Sequence, residues 1–117
     1  GRRAIGFLLY AHPGRATAES TYGDTVAMRS ATAFFPTIRA GFGYTFDSPV
    51  PVPTTVAWGD KDRLLLPRQA ANAKRVLPNA THVPLPDSGH VPMIDSPDLI
   101  ISLINATVAQ AQALKAA

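Results

Sequence analysis

Two short stretches carry the residue types that proton chemistry needs. "WGDKDRLLLP", residues 58–67, sets Asp60 and Asp62 directly after an apolar run, and "DSGHVP", residues 87–92, sets His90 directly after another. A carboxylate that accepts from one imidazole nitrogen fixes the ring tautomer and stabilises the protonated form, which frees the other nitrogen to act as a general base. One Asp or one His alone means little, because both are ordinary polar turn residues. Their placement is the informative feature: each follows what reads as a strand, with a helix between, and ligand sites in open parallel sheets gather outside the carboxyl ends of strands.

No other chemistry is as well supported. His12 stands beside Pro13 with no partner in view and His82 lies inside a strand-like run, so both read as structural. Asp87, Asp95 and Asp98 read as turn and cap residues and Trp58 as core, while Val91 and Met93 suit either a pocket wall or core packing. The three histidines lie far apart, with no H-x-x-x-H and no carboxylate cluster, so neither a metal nor another cofactor is expected. Without cysteine there is no disulfide, thiol nucleophile or thiolate ligand, which is compatible with a reducing, cytoplasmic setting.

The elements that must position the acid and the base are legible in the second half. "VPVPTTVAWGDKD" reads as a buried parallel strand, Val52 to Trp58, with Pro51 and Pro53 at its start, where a missing ladder donor is tolerated. "LPRQAANAKRVLPN" reads as a helix opened by Pro67 and closed by Pro78-Asn79, its inner stripe being Ala70, Ala73, Lys74 and Leu77. Ala80 to Leu85 makes the second strand. Ser96 then caps a helix starting at Pro97, with Asp98 beside the positive end of its dipole and Ile100, Leu103, Ile104, Val108 and Ala111 as its apolar face. Two strands joined through a helix are expected to be parallel neighbours, and two alone make an incomplete sheet. The fold class is therefore α/β, with two parallel strands, flanking helices and missing partners.

The first half is weaker. Asp24 is a candidate cap for a helix with an apolar stripe of Ala27, Ala31, Phe34, Phe35 and Ile38, which Pro36 should kink or split and Gly41 and Gly43 end. Leu8-Leu9-Tyr10 suggests one helical turn or a strand, broken at His12-Pro13-Gly14, and "FDSPVPVP" reads as a loop into the first strand. "GRRAIGFLLYAHPG" imitates a secretory signal, but its apolar core is short, holds Gly6 and leads to no A-x-A site. Without an initiator Met, residue 1 reads as a cut point in a longer sequence.

Bulk composition narrows the partners. At 117 residues with 46% hydrophobic and 16% charged residues, the chain is one globular domain or a piece of one. No uninterrupted apolar run approaches the roughly 18 residues of a membrane span, so no membrane partner is expected. The formal charge of +3 is scattered, with doublets only at Arg2-Arg3 and Lys74-Arg75, so no specific nucleic-acid partner is expected either.

"PTTVAWGDKDRLLLP" followed by "LPNATHVPLPDSGHVPMIDSPDLIISLI", about Pro51 to Ile104, resembles the C-terminal third of an α/β-hydrolase, in which one strand ends in G-x-x-D and the last precedes a G-H turn. The resemblance implies that Asp62, in Gly59-x-x-Asp62, is the triad acid and that His90 is the base. Residues 51–117 would then be the closing strand-helix-strand-helix of the core, and residues 1–50 the end of a lid and the helix returning from it. It also implies a nucleophile, Ser or in some branches Asp or Cys, on a G-x-S-x-G elbow upstream of the acid. No two glycines here lie four apart, and relaxing the flanks to Gly, Ala or Ser still yields no Ser or Asp candidate. The expected function is the acid–base part of a hydrolase acting on an ester or similar bond of a small molecule, inactive without the missing half. The other expectation is a non-catalytic remnant or interaction module that buries its sheet edge on a partner or on another copy.

Overall fold

Register decides where the two chemistry-bearing turns meet. The computed structural model describes residues 2–46 and 48–116. The chain runs through α1 (Arg2–Leu9), a 3₁₀ turn (Pro13–Arg15), α2 (Ala18–Ser30), α3 (Phe34–Gly41), β1 (Thr55–Gly59), α4 (Arg68–Val76), β2 (Thr81–Leu85), α5 (Pro92–Asp95) and α6 (Pro97–Ala116). The strands pair in parallel, with Thr55 opposite Thr81 and Gly59 opposite Leu85, so the segments leaving both carboxyl ends emerge side by side. This is a mixed α/β arrangement, an open two-stranded parallel sheet with flanking helices.

Alternation along β1 assigns its two faces. Val56 and Trp58 look toward α4, where Ala70 and Ala71 line the same hollow, while Thr55 and Ala57 look toward Ile100, Leu103 and Thr107 of α6. The hydroxyls of Thr55 and Thr107 join at 2.6 Å, which ties α6 to the sheet. On α6 the half-buried row is Ile100, Leu103, Thr107 and Ala111, whereas Ile104 and Val108, expected on the inner face, are 56% and 49% exposed. Lys74 stays on the inner side of α4, lining the same hollow as Ala70, Val56 and Trp58 although the residue is exposed overall, as a lysine does whose stem covers apolar surface while its charge stays in water.

Several boundaries differ from expectation for local reasons. β1 starts at Thr55, because Pro51 and Pro53 offer no ladder donor before it. Asp47, within the loop read at 46–53, lies outside the described residues. Thr17, not Asp24, caps α2, its hydroxyl accepting from the Ser20 N–H at 3.0 Å. The break falls at Ala31–Ala33, so Pro36 sits in the first turn of α3, where its missing N–H has no helical partner to lose. Gly43 leaves α3 with φ of 82°, a conformation that favours glycine. Leu8 and Leu9 end a helix. By length and composition alone α6 also qualifies as a membrane span, with mean hydropathy of 1.2; Ser102, Asn105, Thr107 and Gln110 interrupt the apolar run but not the average.

Burial is concentrated at one end of the sheet. Tyr10 and Leu85 are the only fully covered apolar side chains among the described residues, and the other buried positions are Gly6, Gly59, Asp62, Ser88, Gly89 and Asp95. The rest is open: the Cα radius of gyration is 16.2 Å, against about 13 Å for a compact chain of this length. Phe35, Phe42 and Tyr44 are each more than 70% exposed.

Candidate active site

Two glycine-bearing turns build the site. Beyond Gly59 the chain reverses tightly: the Asp60 N–H donates to the Leu85 carbonyl at 3.1 Å, Lys61 N–H to the Ser88 carbonyl at 3.0 Å and Asp62 N–H to the Gly59 carbonyl at 3.3 Å. The first two bonds attach the Asp62-bearing turn to the His90-bearing one, the third closes the first turn, and together they deliver Asp62 against His90. Their side chains meet at 3.0 Å, His90 Nδ1 to Asp62 Oδ2.

The carboxylate is held from its other side as well. Asp62 is 6% exposed, and its Oδ1 accepts the N–H groups of Leu64 and Leu65 at 2.9 and 2.8 Å. A buried carboxylate with this many donors keeps its orientation, whereas an unpaired one would bear the full cost of leaving water. His90 keeps about 29% side-chain exposure, and among the described residues its Nε2 has no hydrogen-bond partner. The ring is therefore oriented through Nδ1 and open at Nε2, as a general base must be.

Asp60 turns away, its Oδ1 facing the Ser88 N–H at 3.4 Å, so of the two candidate acids only Asp62 reaches the ring. Ser88, the serine nearest His90 in sequence, is fully buried; its hydroxyl donates to the Pro86 carbonyl and meets the Ser96 hydroxyl at 2.9 Å. It is not poised for attack. Ser96 spends its side chain on that contact instead of capping α6, although its carbonyl accepts the Ile100 N–H.

Residues 7–12 form a strap across both turns. Arg63, next to the acid, donates to the carbonyls of Phe7 and Tyr10, each at 2.9 Å, and its guanidinium carbon lies 4.2 Å from the centre of the Phe7 ring. Val91, next to the base, donates its N–H to the Leu9 carbonyl at 2.9 Å. Tyr10 donates its hydroxyl to Asp24, which anchors α2, and burial first and that carboxylate second raise its phenol above the ordinary value. Arg15 reaches the Asp95 carbonyl at 2.7 Å.

The largest departure from the sequence reading is Asp95, expected as a turn or cap residue. It is 5% exposed and accepts three backbone N–H groups, from Ala11 at 2.8 Å, His12 at 2.9 Å and Gly89 at 2.9 Å. Burial pushes its carboxyl upward, but the three donors and the nearby His12 outweigh it, so the group sits below the ordinary value. His12 gains a partner invisible in sequence, Asp87, at 2.6 Å from its Nε2. Asp87 also takes Lys61, and the Lys61 bond first and the His12 bond second hold its carboxyl below the ordinary range. His82 binds the Leu77 carbonyl at 2.8 Å, a structural role. Trp58 is half-buried, with its indole N–H on the Leu65 carbonyl. Met93 is 57% exposed, so it walls no closed pocket.

Comparison with known proteins brings no match: no family model, no curated protein and no solved structure aligns with the chain.

Proposed function

We propose that this chain carries the acid and base of an α/β-hydrolase-type site, with Asp62 orienting His90 and the nucleophile supplied from outside these 117 residues. The supporting observation is the 3.0 Å contact between His90 Nδ1 and Asp62 Oδ2, with Nε2 left open. In such a site Nε2 withdraws the proton of a serine hydroxyl as it attacks an ester carbonyl and returns it to the leaving alcohol, or, if the nucleophile is a carboxylate, withdraws the proton of the water that hydrolyses the ester intermediate and passes it to solvent. The setting proposed for it is the cytoplasm.

A second reading, a non-catalytic module that buries its sheet edge on a partner, is favoured by the open two-stranded sheet, which among the described residues leaves one edge of each strand unpaired. An ester assay decides between them. It is run with p-nitrophenyl acetate on the 117-residue chain and on the product of its native reading frame, each beside a His90→Ala variant. His90-dependent turnover by the native product, with none from the chain alone, is the expected result. A native product whose turnover ignores His90, or that has none, overturns the hydrolase reading.

A further inference from the structure

We infer that Asp95 is a positioning residue for His90, an inference that rests on the acid–base reading above and adds a second carboxylate to its machinery. His90 has no side-chain neighbour on its N-terminal side to aim it, because Gly89 presses its bare Cα against the strap: a methyl group there would lie 2.6 Å from the Ala11 nitrogen and 2.8 Å from the Leu9 carbonyl oxygen. What holds the Gly89 backbone instead is its N–H bond to Asp95 Oδ2.

The same oxygen takes the Ala11 N–H, and Oδ1 takes the His12 N–H. The strap so fixed offers the Leu9 carbonyl to the Val91 N–H on the other side of the histidine. A single carboxylate thus closes a ring of bonds around His90: Gly89 directly on one flank, Val91 through residues 9–12 on the other. With the backbone held on both flanks, χ1 and χ2 of His90 are left to the Asp62 contact alone.

Asp95→Asn is a sharp probe of this arrangement. It keeps the shape but replaces one acceptor by an NH₂ group, and in either amide orientation that group faces a backbone N–H. The full chain, ¹⁵N-labelled at histidine, is examined by magic-angle-spinning NMR for the His90 Nδ1 proton and by hydrogen exchange for backbone amides, both of which work in any assembly state. In the unaltered chain the amides of Ala11, His12 and Gly89 exchange slowly and the His90 proton resides on Nδ1. In Asp95→Asn those amides exchange about 10- to 100-fold faster, as loss of a charge-assisted bond implies, and the His90 Nδ1 signal shifts or broadens while His82 keeps its own. Asp62→Asn is the control, expected to remove the His90 signature and leave the three amides slow.

The outcomes separate the two claims. If Asp62→Asn leaves the His90 signature intact, the acid–base reading fails and the role of Asp95 with it. If Asp62→Asn removes it but Asp95→Asn does not, Asp95 merely staples the strap and only this inference fails. Should Asp95→Asn not fold, shown by free exchange in β1 and β2, Asp95→Glu decides, since it moves the acceptors by one methylene. A displaced His90 Nδ1 resonance supports positioning, and an unchanged one overturns it.

Discussion

Gly59 lies so close to Gly89 that a methyl group on the first would stand 2.5 Å from the carbonyl oxygen of the second. The turn that carries Asp62 and the turn that carries His90 thus touch backbone to backbone, and the contact leaves no room for a side chain. Replacing Gly59 by Ala must push the turns apart, at a cost of about 1–3 kcal/mol by analogy with overpacked cores. The urea midpoint of Gly59→Ala is expected to fall, and a midpoint equal to that of the unaltered chain would mean the turns are not in contact.

In the native product, His90→Ala is expected to lower turnover at least as far as Asp62→Asn, which should lose about 10⁴-fold through the wrong imidazole tautomer. Steady-state kinetics with one activated ester checks both. Equal losses of only a few fold would remove both residues from a triad.

Arg63→Met keeps much of the aliphatic packing but loses both carbonyl contacts and the charge over Phe7. The expected effect is local, easier opening of α1 by roughly 1 kcal/mol, visible as faster amide exchange in residues 6–10 with β1 and β2 unchanged. Uniform acceleration across the strands would instead make Arg63 a global support.

Acid, not neutral pH, should release the strap. Asp87 and Asp95 titrate in the folded chain below their ordinary value of 3.8. Once they are exposed they bind protons more readily, so their contribution is complete at neutral pH and is lost as pH falls through 3.8 and below. Protection of the Ala11, His12 and Gly89 amides, corrected for intrinsic exchange, is therefore expected to decline below about pH 4. Protection that instead declined between pH 6 and 8 would assign the latch to a different group.

The open faces predict association. With Tyr10 and Leu85 as the only covered apolar side chains among the described residues, and a two-stranded sheet carrying free edges, the chain is expected to show concentration-dependent mass by light scattering and a broad urea transition. A monodisperse monomer with one sharp transition would show that the sheet needs no partner.

The strand–helix–strand–helix order of β1, α4, β2 and α6, and the pairing of Asp62 with His90, were legible because both rest on side chains read against short periodic segments, whereas the four-residue helix α5 was too short to show a period. Asp95 was not, because its partners are backbone N–H groups, which carry no residue identity and lie up to 84 positions away. The apolar Met93 and Ile94 just before it were the only hint that it would be buried. Ser96 misled for the opposite reason: a good cap by type, it had a hydroxyl partner in Ser88 that local rules do not see. Asp24, read as a cap, lies inside α2, which starts six residues earlier behind the Thr17 cap, and its carboxylate takes the Tyr10 hydroxyl instead.

The strap also has a history within each molecule's synthesis. Residues 11 and 12 leave the ribosome long before Asp95, to which both are tied across 84 and 83 positions. At about 5–20 residues per second the interval is roughly 4–17 s, during which Leu9 and Tyr10 have no site to close over. Their apolar surface is then free for chaperones or for neighbouring nascent chains, so slowing translation between codons 12 and 95 should lower the soluble yield of this protein even though no residue in it has changed.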